Sequence, residues 1–126
     1  MIFGIGTDIL DRERLDRGLD AAFIRRAYTV AERLQAAQRY DPSAYYATRF
    51  AAKEAVFKAI SACVTDFRPQ DIETLADEHG KPSVFLHGKT AEEVSDRLAG
   101  REYSILVSLS CEDKTAIAYA FIYAAQ

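Results

Sequence analysis

From Pro42 to about Ala62 the chain reads as one long helix whose stretch from Phe50 to Ile60 is apolar around almost its whole circumference, and this feature constrains the fold most. Asp41-Pro42 is a start signal, a capping side chain followed by proline at the first helical position. Ala44, Ala47, Ala51, Ala52, Ala55 and Ala59 are strong helix formers. Placed about 100° apart, the apolar positions between Phe50 and Ile60 leave almost no polar face. A helix of that kind is buried within its protein. Its charges, Arg49, Lys53, Glu54 and Lys58, therefore need partners.

Before this helix, Ile2 to Ile9 alternates as a strand, with Phe3, Ile5, Thr7 and Ile9 on one face and Gly4, Gly6 and Asp8 on the other. Glycines there weaken the strand but let a second backbone or a ligand come close. Asp11 to Gln38 has helical spacing interrupted near Gly18 and Thr29, which predicts two or three short helices. Beyond the long helix, Asp71–Leu75 and Pro82–Leu86 read as strands around His79-Gly80-Lys81-Pro82. Thr90 with Glu93 predicts a capping box on a short helix ending at Gly100. Glu102–Ser110 and Thr115–Tyr123 predict a hairpin across Cys111-Glu112-Asp113-Lys114. The expected class is α+β, a mainly antiparallel sheet packed on the long central helix with short additional helices. No repeat or linker interrupts residues 1–126, so a single domain is expected.

Composition excludes several function classes. The net charge of −3, from 16 basic and 19 acidic residues, argues against a nucleic-acid binder held by overall positive charge. No apolar run is long enough to span a membrane, and Met1-Ile2-Phe3-Gly4 lacks the basic start of a signal peptide. A cytoplasmic location is expected. Cys63 and Cys111 are too few for a zinc cluster or a disulfide framework.

Glu54 and Lys58, four apart, share a helical face flanked by Phe50 and Phe57. The ordinary reading is an intrahelical ion pair, worth about 0.3–0.5 kcal/mol at a surface. On an apolar helix, however, burying the pair would cost several kcal/mol per ion without further partners. A metal ion on the carboxylate and a phosphate on the lysine would supply them. Asp8 is the natural second carboxylate, although it and Asp11 are equal candidates to cap the following helix. Two oxygen ligands plus waters and phosphate oxygens suit Mg²⁺. Gly4 and Gly6 are not a dinucleotide fingerprint, because no third glycine follows and they lie inside the strand. His79 and His87 belong to no evident triad. From Arg12 to Arg39 every basic residue is arginine, a planar fork suited to carboxylates and phosphates. This fits either a solvated surface balanced by Asp11, Glu13, Asp16, Asp20 and Glu32, or an acidic protein partner.

Gly4-Ile5-Gly6-Thr7-Asp8-Ile9 followed by Arg14 resembles the opening of holo-acyl-carrier-protein synthases, the small bacterial type of the 4′-phosphopantetheinyl transferase superfamily. Arg49-Phe50-Ala51-Ala52-Lys53-Glu54-Ala55-Val56-Phe57-Lys58-Ala59 is similar to their central signature, and Gly80-Lys81-Pro82 and Val107-Ser108-Leu109-Ser110 follow in the expected order. The resemblance implies transfer of 4′-phosphopantetheine from coenzyme A to a serine of an apo acyl carrier protein, with Mg²⁺, releasing adenosine 3′,5′-bisphosphate. By position, Asp8 and Glu54 would hold the metal and Lys58 would neutralise phosphate charge. Arg49 would contact the nucleotide, and Lys81 and Pro82 would border the adenine and 3′-phosphate. Arg14 and Arg26 would receive acidic residues of the carrier. The serine proton would pass to Glu54 or to a metal-associated water held by Asp8. The resemblance also implies a homotrimer with active sites between subunits. The alternative is a diverged, non-catalytic member that binds carrier protein or coenzyme A as an interaction module.

Two positions depart from the family pattern. Its glycine-rich loop after the central signature is replaced by Ile60-Ser61-Ala62-Cys63-Val64-Thr65, so either the backbone approaches the nucleotide less closely or the helix runs further. Cys111 stands where the family tends to place histidine after the Ser-Leu-Ser strand.

Overall fold

A computed structural model describes residues 1–125. Strand β1 (Ile2–Asp11) leads into three short helices, α1 (Arg12–Gly18), α2 (Ala21–Ala27) and α3 (Val30–Ala37), and then the long helix α4 (Pro42–Ala59). A 3₁₀ turn, Pro69–Asp71, opens the hairpin β2 (Ile72–Ala76) and β3 (Pro82–Leu86). Helix α5 (Gly88–Arg97) and the hairpin β4 (Tyr103–Glu112) and β5 (Thr115–Ala124) complete the chain. The α+β class and the antiparallel pairing expected from the sequence are both present. One sheet runs β1-β5-β4 and the other is the β2–β3 pair.

The three-stranded sheet lies directly on α4 because both surfaces are built from small residues. Ala116, Ala118, Ala120, Ile122 and Ala124 alternate along β5 toward the helix, and all are buried. A Cβ added at Gly4 would collide with the Ala59 carbonyl, and one at Gly6 with the Ala55 carbonyl. The glycines thus let strand backbone reach helix backbone, which is how the even-numbered face of β1 carries Asp8 onto α4.

Two expectations change. Helix α4 ends at Ala59 and the chain turns through Ile60–Cys63, so the helix does not run on through the segment that lacks glycine. The capping box at Thr90 is absent, because α5 starts earlier, after His87. Asp71 caps it from across the turn instead, its Oδ2 accepting from the Thr90 backbone N–H at 3.2 Å and the Thr90 hydroxyl at 2.9 Å. Thr90 is buried there, so its hydroxyl bonds to a tertiary partner instead of its own helix.

Candidate active site

Asp8 is left available by its neighbour. Asp11 caps α1, its Oδ1 accepting the N–H groups of Glu13 and Arg14. The Asp8 side chain instead points inward from β1 and is buried. Lys58 reaches back from the last turn of α4 and donates to the Thr7 carbonyl at 3.0 Å and Asp8 Oδ1 at 3.3 Å. Lys58 therefore pairs across to the strand, and the ordinary intrahelical Glu54–Lys58 bridge does not occur among the described residues.

Glu54 lies against Asp8. Its half-buried site disfavours charge, and the Asp8 carboxylate disfavours it further while accepting a hydrogen bond from the protonated form. Together these push Glu54 up to about 7, with Lys58 opposing in part. Asp8 Oδ2 is buried without a hydrogen-bond partner. Such a pair requires a proton or a cation between its members. The donor set, two hard carboxylates beside a lysine, fits Mg²⁺, which keeps waters and phosphate oxygens in its remaining positions. No cluster of three His, Cys, Asp or Glu side chains able to hold a metal occurs among the described residues.

Toward the start of α4, Arg49 is buried, with its guanidinium carbon 4.1 Å from the Tyr45 ring centroid. One terminal nitrogen donates to Thr48 Oγ1 at 3.1 Å, while Nε has no partner. Arg49 lines a cavity of about 360 Å³ with Thr48, Gly80, Pro82 and residues 107–111, Cys111 included. The structure thus brings Arg49 and Pro82 to one cavity. Lys81 is exposed and lines the adjoining groove between β3 and β4.

Arg14 and Arg26 are exposed on the α1–α2 surface. Among the described residues, Arg12 bridges Asp41 at 3.0 Å, whereas Arg14, Arg17, Arg25, Arg26, Arg33 and Arg39 have no carboxylate within bridging distance. The interleaved acids serve elsewhere: Asp11 and Asp20 cap helices, and Glu32 is buried against Lys53. The arginine surface is accordingly less balanced than its sequence neighbours suggest.

The sequence profile of the 4′-phosphopantetheinyl transferase superfamily matches residues 4–119. The chain belongs to this superfamily. It is similar to a holo-[acyl-carrier-protein] synthase of Clostridium beijerinckii, 38% identical, with the match covering 98% of this chain and 99% of that protein. Among solved structures it resembles the holo-[acyl-carrier-protein] synthase of Neisseria meningitidis, 33% identical, TM-score 0.81, covering 98% of this chain and 99% of that one. It also resembles the Bacillus anthracis holo-(acyl-carrier-protein) synthase in complex with CoA (3′,5′-ADP), 29% identical, TM-score 0.76, covering 100% and 99%.

Beyond the residues anticipated from sequence, the transferase fold places Glu32, Gln35 and Tyr45 between α3, α4 and β2. The signal for Glu32 lay in Thr29-Val30-Ala31-Glu32, a capping-box spacing that the structure contains. Gln35 and Tyr45 carry no comparable local signal.

Proposed function

We propose that the chain is a holo-acyl-carrier-protein synthase, transferring 4′-phosphopantetheine from coenzyme A to a serine of an apo acyl carrier protein. The observation that carries this reading is the meeting of Asp8, Glu54 and Lys58 on adjoining faces of β1 and α4. Asp8 and Glu54 are the residues that would hold Mg²⁺, which when bound neutralises pyrophosphate charge. The serine oxygen forms a bond to the β-phosphorus of coenzyme A as the bond to adenosine 3′,5′-bisphosphate breaks. Lys58 binds a phosphate oxygen, and its half-exposed ammonium has room to turn from Asp8 toward substrate. The serine proton passes to Glu54 or to a metal-associated water held by Asp8. Little other covalent chemistry is asked of the protein, because phosphoryl transfer depends mainly on positioning and charge.

Arg49 and Pro82 form the nucleotide end, with Lys81 at its margin. Lys58 lies nine positions after Arg49, about 13.5 Å along the axis and half a turn out of phase, so the two side chains leave opposite sides of α4 and one cofactor would reach both only from a site shared between subunits. Arg14 and Arg26, free of acidic partners among the described residues, receive the acidic carrier and speed its encounter.

The homotrimer implied by the resemblance has a surface to use in the outward face of the three-stranded sheet, where Ile5, Ile9, Leu106, Tyr119 and Tyr123 are all at least half exposed. Contiguous apolar surface of that kind marks an interface. None of the helices is long and apolar enough to cross a membrane among the described residues.

The test is mass spectrometry of apo carrier protein incubated with the chain, coenzyme A and Mg²⁺. A gain of one phosphopantetheine on the carrier is expected. Tight carrier binding without any gain would favour the interaction module instead.

A further inference from the structure

The β2–β3 hairpin pairs with itself on one side only, and a two-stranded hairpin alone is marginally stable. Its other edge, along β2, is covered by side chains. Lys53 Nζ donates to the Ile72 carbonyl at 2.7 Å, and the Thr74 N–H donates to Glu32 Oε2 at 2.8 Å. Gln35 treats Ala76 as a neighbouring strand would, donating from Nε2 to its carbonyl at 2.9 Å and accepting from its N–H at 3.0 Å. Residues 72, 74 and 76 are the alternate positions whose backbone groups face away from β3. Glu32 and Gln35, three apart, share one face of α3. Side chains of α3 and α4 thus complete the ladder of β2.

The group is tied tightly. Lys53 also donates to both Glu32 oxygens, at 2.9 and 2.8 Å, and to the Pro69 carbonyl at 2.8 Å. Neither charged side chain is exposed to solvent. Tyr45 donates to Gln35 Oε1 at 2.8 Å, and the Tyr45 ring supports Arg49. One network therefore reaches both walls of the 360 Å³ cavity: Arg49 through Tyr45 and Gln35, and Gly80 and Pro82 through the hairpin whose edge it fixes. A buried ion pair is seldom better for stability than apolar side chains of the same volume, but here its members hold the Ile72 carbonyl and the Thr74 N–H of β2.

We propose that Lys53, Glu32 and Gln35 are positioning residues for the coenzyme, holding the β2–β3 hairpin at the height that sets Pro82 opposite Arg49. This rests on reading that cavity as the nucleotide end of the coenzyme A site. Two variants test it, Gln35→Met and the double Glu32→Leu/Lys53→Met, which removes both charges together and spares the fold an unpaired one. Both should unfold cooperatively, with faster hydrogen exchange at the Thr74 and Ala76 amides. Calorimetry with coenzyme A and Mg²⁺ should show a dissociation constant raised about tenfold, as expected of a wall displaced by a fraction of an ångström to an ångström. The KM for carrier protein, and kcat at saturating coenzyme, should change less than about twofold. Folded variants that bind coenzyme A as the wild type does would overturn the positioning role, as would equal losses toward coenzyme and carrier. Wild-type protein that binds no coenzyme A would overturn the functional reading, and this role with it.

Discussion

Helix α4 carries two lysines five residues apart that meet opposite fates. Lys53 is sealed from solvent, bonded to both oxygens of Glu32 and to two backbone carbonyls. Its burial pulls its pKa down, and Glu32 opposes that shift. Lys58 is half exposed, holds one carboxylate oxygen loosely, and stands beside a carboxylate pair with an orphaned oxygen. A buried charge whose partners are complete is structure. A partly buried set with an orphaned carboxylate oxygen is one that a bound cation would complete.

The largest effect that can break this comparison is on stability. Lys53→Ala should lose about 3–5 kcal/mol by leaving Glu32 buried and unpaired, whereas Lys58→Ala should lose under about 1 kcal/mol; thermal denaturation measures both. Activity should invert the order among folded proteins. Lys58→Ala should lower kcat on the order of a hundredfold, as removal of a charge-stabilising donor commonly does. Equal stability losses at the two lysines would erase the distinction.

Gly6→Ala should cost about 1–3 kcal/mol through overpacking against the Ala55 carbonyl, and should weaken Mg²⁺ dependence by lifting Asp8 from Glu54. Unchanged metal dependence in the folded variant would show that close backbone approach is not what aligns the carboxylates. Smaller still is a pH effect on metal-free protein. Glu54 keeps its proton up to about 7 in the folded chain but loses it in the usual carboxylate range when unfolded. The stability this contributes is present at acid pH and is lost as pH rises to about 7. Asp8→Asn should flatten the profile, as read by melting temperature against pH. The smallest effect expected is at the arginine surface, where Arg14→Glu should raise the carrier's KM several-fold at low salt and less at high salt.

Much of this arrangement was legible in the chain. Period-two alternation gave β1 and put Asp8 on its glycine face, and the Asp41-Pro42 start gave α4 to its first residue. The charges on an apolar helix singled out Glu54 and Lys58, and the family resemblance, not the spacing, joined Asp8 to them. What escaped was tertiary. The alanines of β5 read as ordinary small residues until their packing on α4 is seen. Asp71 took over the α5 cap that local spacing assigned to Thr90 and Glu93. Lys53 was visible as an unexplained charge, but its acceptors come from residues 32, 69 and 72, which no local pattern connects.

The central claim is that Asp8 and Glu54 share one divalent cation. Calorimetric titration of Mg²⁺ into the coenzyme-saturated protein tests it most directly. One site per chain is expected, lost in Asp8→Asn and in Glu54→Gln while both variants retain their fold. Wild-type Mg²⁺ affinity in either folded variant would contradict it.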